Sequence, residues 1–82
     1  MKELEILRKR IDNLDNSIAR LLLSRLEIAK KIGKLKKKSN SKIFDLKRET
    51  KVINNVKKSS RNNKFVVEIY KEIIEQSKKV QK

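Results

Sequence analysis

An all-α fold of three helices follows from three observations. The 82 residues contain no proline and a single glycine, the apolar positions repeat at spacings of three and four, and the repeat breaks at two runs rich in Ser, Asn and Lys. A chain of this length forms at most one small domain, spanning residues 1–82. Domains of this size bury only about 60% of their unfolded surface, and 37% of these residues are hydrophobic, so a core closed within one copy would be thin. A partner subunit is expected.

The first element is the longest. Leu4, Leu7, Ile11, Leu14, Ile18, Leu21, Ile28, Ile32 and Leu35 form a heptad stripe, interrupted by Arg25 where the pattern calls for another aliphatic residue. The stripe predicts one continuous helix of about 35 residues, on the order of 50 Å long, which the rest of the chain is too short to cover. It is expected to pack on a second copy. The run "KKKSNSK", residues 36–42, reads as a loop. Asp45 is a suitable N-cap for a second, short helix that carries Glu49, Val52, Ile53 and Val56 on one side and ends near "KKSSRNN". A third helix runs from about Lys64, with Val66, Val67, Ile69, Tyr70, Ile73, Ile74 and Val80 marking its buried face and Ser77 and Gln81 interrupting that face near its end.

Composition narrows the chemistry. Without Cys there is no disulfide, thiolate nucleophile or zinc cage, and without His there is no imidazole base. No apolar run approaches membrane-spanning length, and "MKELEILRKR" alternates charged with apolar residues, unlike a secretory signal. A cytoplasmic setting is the expectation. The 24 Lys and Arg against 10 Asp and Glu give a formal charge of +14, a field that attracts nucleic acid, anionic lipid or a small polyanionic metabolite. Two Phe, one Tyr and no Trp leave few rings to stack on bases.

Each apolar face carries polar residues where an apolar one would pack better. Arg25 lies in the long seam, followed on the same side by Ala29, Ile32 and Lys36 at offsets of four, seven and eleven. Glu49 precedes Val52 and Ile53, and Ser77 and Gln81 stand four apart. Taken singly, each has a structural explanation. Arg25 could fix coiled-coil register or reach out to water, Lys36 could be one solvated residue of a lysine run, Glu49 could support a helix N-terminus, and Ser77 and Gln81 could fray near the chain end. Taken together they suit a polar cavity, because one small protein rarely tolerates several unpaired buried charges. Cations, one carboxylate and an amide match a small anion that carries a hydroxyl.

The same residues carry a family resemblance. "LR..ID..D" and then "R...A...G..K" in the first helix, "D..RE..V" in the second and "S...Q" at the end occur in order over nearly the whole chain, and this resembles the small all-helical chorismate mutases. The resemblance implies an intertwined helical homodimer that rearranges chorismate to prephenate on the way to Phe and Tyr, without a cofactor. It implies that Arg8, Arg25 and Arg48 hold the two substrate carboxylates, with Ser77 as a further contact. Lys36 and Gln81 are then the donors to the ether oxygen of the breaking bond. Glu49, with the backbone at Asp45, becomes the partner of the ring hydroxyl, while Ile32 and Ile74 supply apolar walls. Lys42 stands where the family often has Pro, a departure that concerns the stiffness of the loop rather than the chemistry.

A unimolecular pericyclic rearrangement needs no general base, nucleophile or metal, which agrees with a chain lacking His and Cys. The protein has to hold a flexible dianion in its reactive conformer and meet developing charge with pre-placed donors. Arg8 and Arg25 are seventeen residues apart on one helix, about 25 Å, so they cannot grip one small ligand within a single chain. An antiparallel second copy would bring Arg8 of one subunit beside Arg25 of the other. Two other readings remain open at this level: an isochorismate pyruvate lyase of the same fold, and a basic helical nucleic-acid binder.

Overall fold

The computed structural model describes residues 1–43 and 45–82 and consists of three α-helices: α1, Lys2–Lys38; α2, Leu46–Ser59; and α3, Lys64–Gln81. The all-α class and the order long, short, intermediate match the expectation from the heptad stripe.

Helix α1 runs unbroken through Arg25 and continues three residues into the run expected to be loop. Lys36, Lys37 and Lys38 form its last turn, where lysine has good helix propensity and a cation faces the negative end of the helix dipole. The stop is made by backbone geometry. Asn40 adopts a left-handed φ of 56°, and the amides of Ser41 and Asn40 bond the carbonyls of Lys36 at 2.8 Å and Lys37 at 3.3 Å. This is the Schellman pattern. The end of α2 repeats it without glycine: Arg61 has φ 54°, and Asn62 N–H donates to Lys57 O at 2.6 Å.

Both remaining helices start on side-chain caps, Asp45 as expected from the sequence and Asn63 in addition. Asp45 accepts a hydrogen bond from Arg48 N–H at 3.1 Å, and Asn63 accepts one from Val66 N–H at 3.1 Å. Each satisfies a backbone donor that the first turn leaves without an intrahelical partner. Helix α3 is the centre of the molecule: it packs on α1 and on α2, which do not pack on each other. Among the described residues few are buried: Ala29 and Gly33 on α1 and Val67 and Ile74 on α3.

The small core leaves much of the chain uncovered. Residues 1–24 are all exposed, and Leu4, Leu7, Ile11, Leu14, Ile18 and Leu21 are between 39% and 69% accessible. The radius of gyration is 16.1 Å, against about 12 Å for a compact chain of this length. The accessible surface is 7414 Å², against about 5,100 Å² for a folded monomer of 9.7 kDa. Among the described residues, no helix is long and apolar enough to cross a membrane.

A cationic cavity between the three helices

The C-terminal half of α1, the start of α2 and the end of α3 enclose a cavity of about 320 Å³. Helical periodicity explains which α1 residues reach it. Arg25, Ala29, Ile32 and Lys36 follow at offsets of four, seven and eleven, so they form one strip, and all of them line the cavity. Asp45, Arg48, Glu49 and Val52 enter from α2 and its cap, and Ile74, Ser77, Lys78 and Gln81 from α3.

Nine of the ten site residues expected from sequence are therefore brought to one place: Arg25, Ile32, Lys36, Asp45, Arg48, Glu49, Ile74, Ser77 and Gln81. Arg8 is not among them. It is exposed on the free half of the unbroken helix α1, about 25 Å along the axis from Arg25.

Hydrogen bonds fix the cavity's donors. Arg25 donates through Nε to Tyr70 Oη at 3.3 Å and through Nη1 to Ser77 Oγ. Its guanidinium carbon also lies 5.6 Å from the centre of the Tyr70 ring, within cation–π range. The Ser77 hydroxyl hydrogen is directed at Ile73 O, 2.8 Å away, which leaves Oγ free to accept from Arg25. Lys36 Nζ donates to Gln81 Oε1 at 3.1 Å and to Ile43 O at 3.0 Å. The second of these bonds pins the loop before α2, the segment whose stiffness the Lys42 departure concerns. Because lysine only donates, Gln81 meets it through the amide oxygen and keeps its Nε2 hydrogens as donors.

Four cations and two carboxylates line the cavity, a net charge of +2 that suits a dianion. Arg25 and Lys36 are held by neutral oxygens, so their charge is not cancelled by an ion pair among the described residues. Lys78 is different: Nζ lies 3.3 Å from Glu49 Oε1 and 2.9 Å from Glu75 Oε1. The hydrogen bond to Glu75 is the largest influence and burial, which opposes it, the next; with the bond to Glu49 and the charges of both carboxylates added, the ammonium is held above its ordinary value of 10.5. A raised lysine favours the folded state fully below that ordinary value and loses the contribution as pH climbs through the raised one, so the Lys78 ammonium stays charged throughout the neutral range.

Sequence reasoning missed three contributors. Tyr70 reads as one more apolar-face residue, although it stands seven before Ser77 and so on the same side of α3. Lys78 reads as part of a lysine pair, although it stands four after Ile74 on the buried stripe. Gly33 carries no visible chemistry, yet a β-carbon there would lie 2.8 Å from Gln81 Cα and 3.0 Å from Gln81 O. The absence of a side chain lets the end of α3 approach α1 closely enough for Gln81 to meet Lys36.

The fold and the cavity together define a class: a small helical protein with a cationic cavity between its helices. Comparison with known proteins agrees and is more specific. The chain belongs to the chorismate mutase type II family, whose model matches residues 7–82. It is 37% identical over 81 residues to a bifunctional chorismate mutase/prephenate dehydratase of Aquifex aeolicus and 32% identical over 81 residues to that of Buchnera aphidicola, covering 90% and 94% of this chain. It spans only 22% and 21% of the length of those relatives. A solved structure of a conserved hypothetical protein from Pyrococcus furiosus superposes with a TM-score of 0.88 at 44% identity, over 100% of this chain and 99% of that one.

The close approach at Gly33 gives a testable separation of stability from site geometry. In Gly33→Ala the helix gains about 1 kcal/mol of propensity, while the new β-carbon would lie 2.8 Å from Gln81 Cα, so the end of α3 has to move away and the two effects oppose each other. The melting temperature should change by only a few degrees, and the side-chain amide NMR signals of Gln81 should shift as it leaves Lys36. Unmoved Gln81 signals would show that Gly33 does not set this contact.

Proposed function

We propose that the protein is a cofactor-independent chorismate mutase, an isomerase that supplies prephenate for Phe and Tyr synthesis in the cytoplasm, and that it works as a two-fold homodimer with Arg8 completing each site from the neighbouring chain. The observation that carries the reading is the meeting of Lys36 and Gln81, forty-five residues apart, at 3.1 Å in a cavity that also holds Arg25, Arg48 and Glu49.

The rearrangement breaks one C–O ether bond as one C–C bond forms, and the ether oxygen gains negative charge on the way. Lys36 Nζ and the free Nε2 hydrogens of Gln81 are the donors that meet this charge. Arg25, steadied by Tyr70 and Ser77, and Arg48 hold the carboxylates of the chorismate dianion, while Glu49 accepts from the ring hydroxyl. Ile32 and Ile74 limit water in the site. Fixed donors need no reorganisation when the charge appears, and holding the compact conformer converts a rare ground-state geometry into the bound one.

The surface left bare supports the dimer. The excess of about 2,300 Å² over a compact monomer is on the scale of a large obligate interface, and it is concentrated on the same half of α1 that carries Arg8. A two-fold operation that buries one copy's stripe buries the other's as well.

Purified protein should consume chorismate, followed by loss of its absorbance, and yield prephenate. Pyruvate release from isochorismate without prephenate formation would replace this reading with a lyase. Salt-dependent duplex binding without chorismate turnover would replace it with a nucleic-acid binder. Lys36→Ala should lower kcat by about 100-fold while weakening ground-state binding much less, since its partner oxygen gains charge only in the transition state; a kcat within about threefold of wild type would remove Lys36 from this role.

A second variant tests the neutral donor. Gln81 does not ionise, so wild-type turnover should persist from mildly acidic to neutral pH. A Gln81→Glu side chain donates only while protonated. Its activity should appear at acidic pH and vanish at neutral pH, and a flat profile for this variant would contradict donation by Gln81.

A further inference from the structure

Glu49 and Lys78 form a cross-helix pair in the cavity wall, of which the mechanism above uses only Glu49. Glu49 comes from the first turn of α2 and Lys78 from the last turns of α3. Glu49 Oε1 is engaged by Lys78 Nζ at 3.3 Å, while Glu49 Oε2 is buried and accepts no hydrogen bond among the described residues. The two oxygens of one carboxylate are therefore unlike. One is committed to a fixed cation, and the other is a desolvated acceptor. An ionised carboxylate only accepts, and a buried acceptor without a donor is costly, so the orientation of this group depends on the bond to Oε1.

Lys78 is itself held in place. Glu75 Oε1 lies 2.9 Å from its Nζ, one helical step away on α3, so Lys78 has little freedom to leave Glu49. Arg25 and Lys36, by contrast, are held by neutral oxygens. The cavity thus contains two kinds of cation, those with uncancelled charge and one occupied by carboxylates.

We propose that Lys78 is a positioning residue for recognition of the ligand's hydroxyl: by engaging Oε1 it locks the Glu49 carboxylate in the one orientation from which it accepts the hydroxyl. This rests on the reading of the cavity as a chorismate site. The device selects for ligands with a donor at this point, because a ligand lacking it leaves the fixed carboxylate without that donor.

The test compares two substrates in the full-length protein: chorismate, and an analogue of chorismate lacking the ring hydroxyl. Wild-type protein should prefer chorismate. Lys78→Met, which keeps the length of the side chain and removes its charge, should lower kcat/KM for chorismate by about tenfold or more and leave the analogue within about twofold, so that the preference collapses. Lys78→Arg should restore most of it, since a guanidinium can still engage Oε1. If Lys78→Met does not fold, Lys78→Gln supplies the same comparison with a neutral donor and should show an intermediate loss of preference.

Equal loss on both substrates would make Lys78 a strut between α2 and α3 and overturn the inference, as would no loss on either. Turnover of neither substrate by wild-type protein would overturn the chorismate reading itself, and the inference with it.

Discussion

A helix of 37 residues in a chain whose other helices have 14 and 18 is the constraint on which the rest of the structure depends. At about 1.5 Å per residue, α3 can cover only about half of α1. It covers the C-terminal half, where Ala29 and Gly33 allow close approach, and there the cavity forms. The other half keeps its Leu and Ile stripe in water and carries Arg8. An uncovered apolar surface and an arginine remote from the cavity are two consequences of one excess of helix length. A two-fold partner would resolve both with a single operation, since a self-complementary interface places each copy's free half on the other's site.

The cavity shows how a protein holds cations ready for an anionic ligand. Burying a charge is costly unless something compensates it. A carboxylate partner would compensate it at the expense of the ligand's own attraction. Here Arg25 rests on a phenol oxygen, a serine oxygen and a ring face, and Lys36 on an amide and a backbone carbonyl. These neutral partners fix geometry and leave the field directed at the cavity. For the proposed rearrangement this would be preorganisation in the electrostatic sense, with the donors in place before the ligand's charge develops.

Much of this was legible in the sequence, and the remainder was hidden for physical reasons. The heptad stripe showed α1, Asp45 marked the start of α2, and Lys64 that of α3, because apolar spacing and caps are local properties. The three-residue extension through Lys36–Lys38 was not foreseen, because lysine runs suit both a solvated loop and a helix end, and the choice fell to backbone bonds closed by Asn40. Polar residues on apolar faces pointed to a cavity, and the helical strip from Arg25 to Lys36 delivered its residues to one place. Tyr70, Lys78 and Gly33 escaped because their roles are pairwise and tertiary: a ring under a guanidinium, an ammonium between two carboxylates, and a missing β-carbon opposite a helix end. No spacing rule on one helix encodes which residue of another it will meet.

The central claim is that each site is shared between two chains, and mixed refolding tests it most directly. Arg8→Ala and Arg25→Ala proteins should each be nearly inactive alone, since every site lacks one arginine. Unfolded together in equal amounts and refolded, about half the dimers pair one of each by random assortment, and in these one site receives both mutations while the other receives neither. The account expects turnover to recover to about a quarter of the wild-type value. If Arg8 acts within its own chain, no pairing can rebuild a site, and activity in the mixture no higher than that of the separate parents would contradict the shared-site account.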